Sequence, residues 1–180
     1  MNDLNHRRRH KDRPDLSGEY IWGDLGQMIL FILFFTIWIV DSFVLHITTS
    51  PGQYISWYIR VPLALVILII SSVLAQSGLK SVFGERRENP VIIREGVFNR
   101  VRHPIYLGAI LLYLGLIVLT LSLLSAIIWI IIILFYYYIS RYEEKILIHE
   151  FGDQYKKYME EVPMLIPSLF KKKGRVEKHY

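Results

Sequence analysis

From Pro104 to Ile139 the chain runs through 36 residues without one charged side chain. As a single helix rising about 1.5 Å per residue, this stretch would reach roughly 54 Å, well beyond a hydrocarbon core of about 30 Å. It therefore has to fold back on itself. Its least apolar part is Leu119-Thr120-Leu121-Ser122-Leu123-Leu124-Ser125, where hydroxyls can bond the backbone groups that a tight turn releases. Two further apolar blocks, Leu25–Ile47 and Tyr58–Leu79, precede it, and ionisable side chains interrupt them only at Asp41, His46 and Arg60. Since 53% of the residues are hydrophobic and most are gathered in these blocks, the expected fold is an all-α, polytopic transmembrane helix bundle of four spans. The spans are expected at about 25–47, 58–79, 104–120 and 124–140, the last two forming a short hairpin, with a cytoplasmic helical segment at 141–170.

Basic residues orient the bundle, because cytoplasmic flanks are enriched in Lys and Arg. Five precede the first block, six lie between Lys80 and Arg102, and nine follow from Arg141 onward, so 20 of 21 share one side. Both termini are thus expected in the cytoplasm. The exception, Arg60, is expected to snorkel to the outer headgroups. Tyr54, Trp57 and Tyr58 read as an outer aromatic belt, and Tyr20, Trp22 and Tyr136-Tyr137-Tyr138 as an inner one. Asp41 and His46 fall close to the outer end of the first span and read as interfacial, while His149 reads as a surface histidine.

Residues 1–24 form a basic arm, with His6-Arg7-Arg8-Arg9-His10-Lys11, and 171–180 a basic tail. Both suit anionic lipid headgroups. Nothing interleaves their charges with stacking aromatics, so nucleic acid is not an expected partner. The chain has no cysteine, which excludes disulfides, thiol nucleophiles and thiolate metal sites, and no metal site is expected. The first apolar block is of full spanning length without a small-residue cleavage site, so no removable signal peptide is expected.

Two cytoplasmic segments carry candidate chemistry. Lys80 to His103 is a compact loop with Gly84, Asn89-Pro90 and Gly96 as turn residues. In the other, Ile146, Leu147, Phe151, Tyr155 and Tyr158 trace an amphipathic helix broken near Gly152 and ended by Pro163 and Pro167. Where the loop enters the third span stands Arg102-His103-Pro104-Ile105-Tyr106-Leu107-Gly108. Pro104 suits a first helical position, which sets Arg102 and His103 at a helix N-terminus, where free N–H groups favour a carboxylate or phosphate. Gly108 leaves room for a ligand or another helix. The hairpin returns Glu143 and Glu144 to the same mouth. Adjacent carboxylates lie about 100° apart on a helix, so the two are not expected to face one partner. Read by charge and position alone, these residues also fit topological basic placement and helix-surface pairs with Arg141 or Lys145.

The ordered set Gly96-Val97-Phe98-Asn99-Arg100-Val101-Arg102-His103-Pro104-Ile105-Tyr106-Leu107-Gly108, a hairpin, then Glu143-Glu144 resembles the signature of the isoprenylcysteine carboxyl methyltransferase family and its phospholipid N-methyltransferase relatives. It continues through Leu147, Phe151-Gly152, Tyr155, Tyr158 and Pro163-x-x-Ile166-Pro167, covering roughly residues 60 to 170. Phe98 departs from it, standing where many relatives carry Tyr. The resemblance implies S-adenosylmethionine at the inner face, roofed by the C-terminal segment, and a lipophilic acceptor arriving from the bilayer. Arg102, His103, Glu143 and Glu144 would be the catalytic set. Gly96, Pro104, Tyr106, Leu107 and Gly108 would join them in holding the cofactor. Arg102 and His103 would lie near the methionine carboxylate or an anionic group of the acceptor, and Tyr106 would pack on the cofactor. One of Glu143 and Glu144 would take the ribose hydroxyls or the ammonium. Two other readings stay open: a non-catalytic membrane protein that binds anionic lipid or a partner, and a sterol-reductase-like oxidoreductase, although no Gly-rich phosphate fingerprint is present.

Overall fold

A computed structural model describes residues 21–84 and 90–167. The basic arm up to residue 20, the Trp22 side chain and the tail 171–180 lie outside the described residues. Helix α1 (Ile21–Ile39) runs into a π-helical turn (Val40–Leu45), and α2 spans Trp57–Phe83. A 3-10 turn at Gly96–Asn99 leads to α3 (Pro104–Thr120), followed by α4 (Leu123–Phe151) and α5 (Asp153–Glu161). Gly23–Leu45, Trp57–Phe83 and Leu123–Phe151 are each long and apolar enough to cross a membrane, and Pro104–Thr120 is a shorter apolar helix. Ile29, Ile32, Val66, Ile69 and Leu134 lie exposed on these helices. Outward apolar side chains are what a lipid solvent selects.

The 17 residues of α3 end within the Leu119–Ser125 stretch. Leu121 takes a left-handed conformation (φ 56°) and Ser122 caps α4, its hydroxyl accepting from the Ser125 N–H at 3.1 Å. α4 does not stop at residue 140, where the sequence suggests that the last span ends. Ser140 through Lys145 contain no breaker, and the helix continues to Phe151, where Gly152 (φ 57°) ends it.

α2 and α3 are pressed together by small residues. A Cβ on Gly108 would meet the Ser71 carbonyl oxygen at 3.0 Å and the Ala75 nitrogen at 3.1 Å, while the Ser71 hydroxyl donates to the Gly108 carbonyl at 2.7 Å. Gly108 thus serves helix packing. α4 lies across α3, with the Trp129 indole donating to the Ile110 carbonyl at 2.9 Å, and α1 covers both through Phe34, Tyr113, Ile132 and Tyr136. Tyr136 is therefore a core residue rather than part of an inner aromatic belt; Tyr137 and Tyr138 remain exposed.

Two ionisable side chains of the first two apolar blocks find partners within the bundle. Asp41 is 1% exposed, accepting from the Thr48 N–H (2.9 Å), the Thr48 hydroxyl (2.5 Å) and the Ser122 hydroxyl (2.5 Å). It ties the end of α1 to the α3–α4 turn. Arg60 donates to the Leu119 carbonyl at 3.2 Å, supplying a cation at the C-terminus of α3, where unpaired carbonyls accumulate. His46, by contrast, is exposed, as is His149. Asp41→Ala leaves the buried Ser122 hydroxyl and the part-buried Thr48 hydroxyl and amide short of their acceptor, so a loss of about 3 kcal/mol is expected. Thermal unfolding in detergent measures it, and turnover per folded molecule should stay near wild type. An unchanged melting temperature would refute the clasp.

Candidate active site

The site forms where α3 begins. Proline restricts its predecessor to extended backbone, and His103 (φ −120°, ψ 67°) precedes Pro104 at the first helical position without any side-chain cap. The backbone N–H groups of Arg102 and His103 are taken by the carbonyls of Pro163 (3.0 Å) and Met164 (3.1 Å). A short stretch after α5 is thereby laid along the entrance to α3.

Arg102 looks away from the N-terminus of α3. Its Nε donates to Glu144 Oε1 at 2.7 Å and its Nη2 lies 2.6 Å from the same oxygen. Nη1 donates to the Met159 carbonyl (2.8 Å) and to that of Val162. Those two carbonyls belong to the end of α5, whose helical bonding stops before Pro163. The guanidinium therefore caps the negative end of α5 and neutralises Glu144 in one step. Arg102 and Glu144 side chains are 7% and 1% exposed, so this is a buried pair. Arg141 adds a second cation 3.6 Å from Glu144 Oε2.

His103 lies between both carboxylates. Its Nδ1 is 3.5 Å from Glu143 Oε2 and its Nε2 is 3.4 Å from Glu144 Oε1, the latter without the alignment of a hydrogen bond. The expectation that adjacent glutamates would not meet one partner is overturned, because an imidazole presents a nitrogen on each side. Burial pushes the His103 pKa down, reinforced by Arg102 and opposed by Glu144. Tyr106 stacks on His103 with rings 5.6 Å apart and 3° from parallel, and its hydroxyl donates to Glu143 Oε1. Behind it, Tyr136 packs at 5.1 Å.

Arg102, His103, Tyr106, Glu143 and Glu144 thus meet in one mouth, with Pro104 buried at its edge. Gly108 faces Ser71 and Ala75 of α2, Leu107 bonds the His103 carbonyl through its N–H, and Gly96 (φ 58°) opens the 3-10 turn with Ser81 nearest. What sequence reasoning missed is the backbone: the carbonyls of Met159, Val162, Pro163 and Met164. Pro163 and Pro167 are the signal, since a chain leaving a helix at proline exposes carbonyls. Tyr155, Tyr158 and Val162 form a second core under this stretch. Burial pushes the Tyr158 hydroxyl up to about 12, and it donates to the Phe98 carbonyl at 2.6 Å, a bond that needs no hydroxyl on residue 98. Among the described residues no group of three or more His, Cys, Asp or Glu side chains is placed to hold a metal ion.

Comparison with known proteins bears on this arrangement. The chain is 27% identical over 138 residues to protein-S-isoprenylcysteine O-methyltransferase B of Arabidopsis thaliana, covering 71% of this chain and 69% of that protein. It is 34% identical over 146 residues to methanethiol S-methyltransferase of Crocosphaera subtropica, covering 76% of this chain and 53% of that protein, so it spans about half that relative's length. The family model for phospholipid methyltransferase matches residues 44–154, which include α2, α3, α4 and every side chain of the mouth. The chain belongs to the phospholipid methyltransferase family.

Proposed function

We propose that the chain is an integral membrane S-adenosylmethionine-dependent methyltransferase acting on a lipophilic acceptor at the cytoplasmic membrane face. In this reading the bundle crosses the bilayer four times, α3 and α4 forming the closing hairpin, with both termini cytoplasmic and the basic faces against anionic headgroups. The observation that carries it is the mouth itself, where residues some forty positions apart supply two carboxylates, a buried histidine and an uncapped helix N-terminus. That set suits the cofactor. His103 Nε2 and Glu144 Oε2 are buried without a hydrogen-bond partner, and buried polar groups of that kind call for a ligand or water. Glu143 and Glu144 complement an ammonium or ribose diol, and the free N–H groups of α3 complement a carboxylate.

When bound, S-adenosylmethionine supplies an electrophilic methyl group on a sulfonium. The chain's own work is then mostly alignment, since an in-line displacement gains most from fixed geometry. Tyr106 and His103 hold Glu143. Arg102 acts as a positioning residue, fixing Glu144 and the roof at Met159 and Val162. A carboxylate acceptor needs no base. An amine or thiol must shed a proton, and His103 beside Glu143 is the group to take it. The two relatives are named for O- and S-methylation, so both acceptor types belong in the assay.

The test is binding of labelled S-adenosylmethionine by the purified protein, followed by transfer to a prenylated cysteine, a lipid amine and a short thiol. Glu143→Ala with Glu144→Ala should lower affinity at least tenfold. Failure of the wild-type protein to bind at millimolar donor would favour a non-catalytic membrane protein.

A further inference from the structure

Beside α5 the structure holds a groove of about 460 Å³ that includes none of the mouth's residues. Val91, Ile92 and Phe151 give it apolar walls, and Arg94, Gln154 and Lys157 give it a polar part. Its floor is firm, because Ile92 and Phe151 pack on the Tyr155, Tyr158 and Val162 cluster. Arg94 is held in place: its Nη2 donates to the Gln154 carbonyl at 3.0 Å, and its guanidinium lies 4.9 Å from the centre of the Tyr158 ring. Its ion pair with Glu161, at 3.5 Å and half exposed, leaves much of its field available. Lys157 is exposed.

We propose that this groove binds the headgroup of an anionic phospholipid, Arg94 and Lys157 meeting the phosphate and Val91, Ile92 and Phe151 taking the start of the apolar portion. Depth supports a lipid over a soluble anion. The 29 residues of α4 reach about 44 Å, nearly half more than the hydrocarbon core and close to the bilayer thickness with its headgroups, so the end at Phe151 falls at headgroup level. Charge supports it as well. Pockets with basic residues on the cytoplasmic side of a bundle suit acidic headgroups, and an amphiphile matches a groove that is apolar at one part and cationic at another. The chain's own tail is a poor occupant, since Lys171-Lys172-Lys173 carries the same sign. The inference rests on membrane placement alone and not on methyl transfer.

The experiment uses the full chain in nanodiscs of phosphatidylcholine with or without phosphatidylglycerol, and native mass spectrometry to read retained lipid. The wild-type chain should retain phosphatidylglycerol preferentially. Lys157→Gln should reduce that preference about fivefold, and adding Arg94→Gln should reduce it by a similar factor again. The tail variant Lys171→Gln/Lys172→Gln/Lys173→Gln should keep it. No preference in the wild type overturns the proposal, as does an equal loss in groove and tail variants, which would mean diffuse attraction. Displacement of the lipid by inorganic phosphate overturns it in favour of a soluble anion. Loss of labelled S-adenosylmethionine binding in the groove variants, with lipid retention unchanged, assigns the groove to the cofactor. Lys157 is exposed, so its single variant remains informative if the double variant does not fold.

Discussion

Arg102→Ala should unfold the mouth and abolish methyl transfer together. The substitution leaves Glu144 buried without its main cation and strips the carbonyls of Met159 and Val162 of their donor. Breaking a buried pair from one side costs about 3–5 kcal/mol, a large part of a small domain's stability. Arg102→Lys is expected to restore little, because one ammonium cannot meet the carboxylate and two carbonyls in the fork geometry of a guanidinium. The informative comparison is Arg102→Met with Glu144→Leu. Removing both charges relieves the desolvation, so thermal stability should recover by more than half of the single-variant loss while transfer stays absent. Thermal unfolding in detergent and labelled-methyl assays on the same preparations read the two effects. Full stability in Arg102→Ala would show that the pair does not hold the roof, and activity in the double variant would remove Glu144 from the chemistry.

Much of this mouth is legible in the sequence, for identifiable physical reasons. An uncharged stretch too long for one crossing forces a turn, and Ser122 with Ser125 marks where it falls. Once the chain turns there, residues 102–106 and 143–144 must come near each other. Pro104 fixes the start of α3 from its ring alone. Partners are less readable than places. Arg102 sits at the positive end of one helix yet spends its donors on the negative end of another, because the stretch after α5 folds back beneath it. Nothing local to Arg102 encodes that return. Asp41 is alike: its place near a span's end is readable, but its enclosure by Thr48 and Ser122, seven and 81 residues away, is not. Tyr136 could not be told from Tyr137 and Tyr138 by type, since only the rotation of α4 against α1 and α3 selects which ring is buried.

His103 should give the protein an acid-sensitive stability and, with a suitable acceptor, a distinctive pH profile of turnover. The titratable and charged groups around it are Glu143 and Glu144 from α4, with Arg141 on Glu144, and Arg102 and Tyr106 at the start of α3. Burial lowers the folded-state pKa below the unfolded value of about 6.5. Above that value neither state is protonated and the residue contributes nothing to the slope. As pH falls through it, the unfolded chain binds a proton that the native site still refuses, so stability declines toward acid. His103→Gln should flatten that decline, and an identical acid slope in the variant would refute the assignment. Turnover follows the same ionisation with the opposite emphasis. Neutral imidazole can accept a proton, so wild-type transfer to an amine or thiol should persist below pH 6.5, further than an ordinary histidine would permit. His103→Gln should then lose about 10²-fold or more in kcat. With a carboxylate acceptor the same substitution should cost far less, because no proton has to leave. The ratio of the two losses therefore reports which nucleophile the mouth is built to receive.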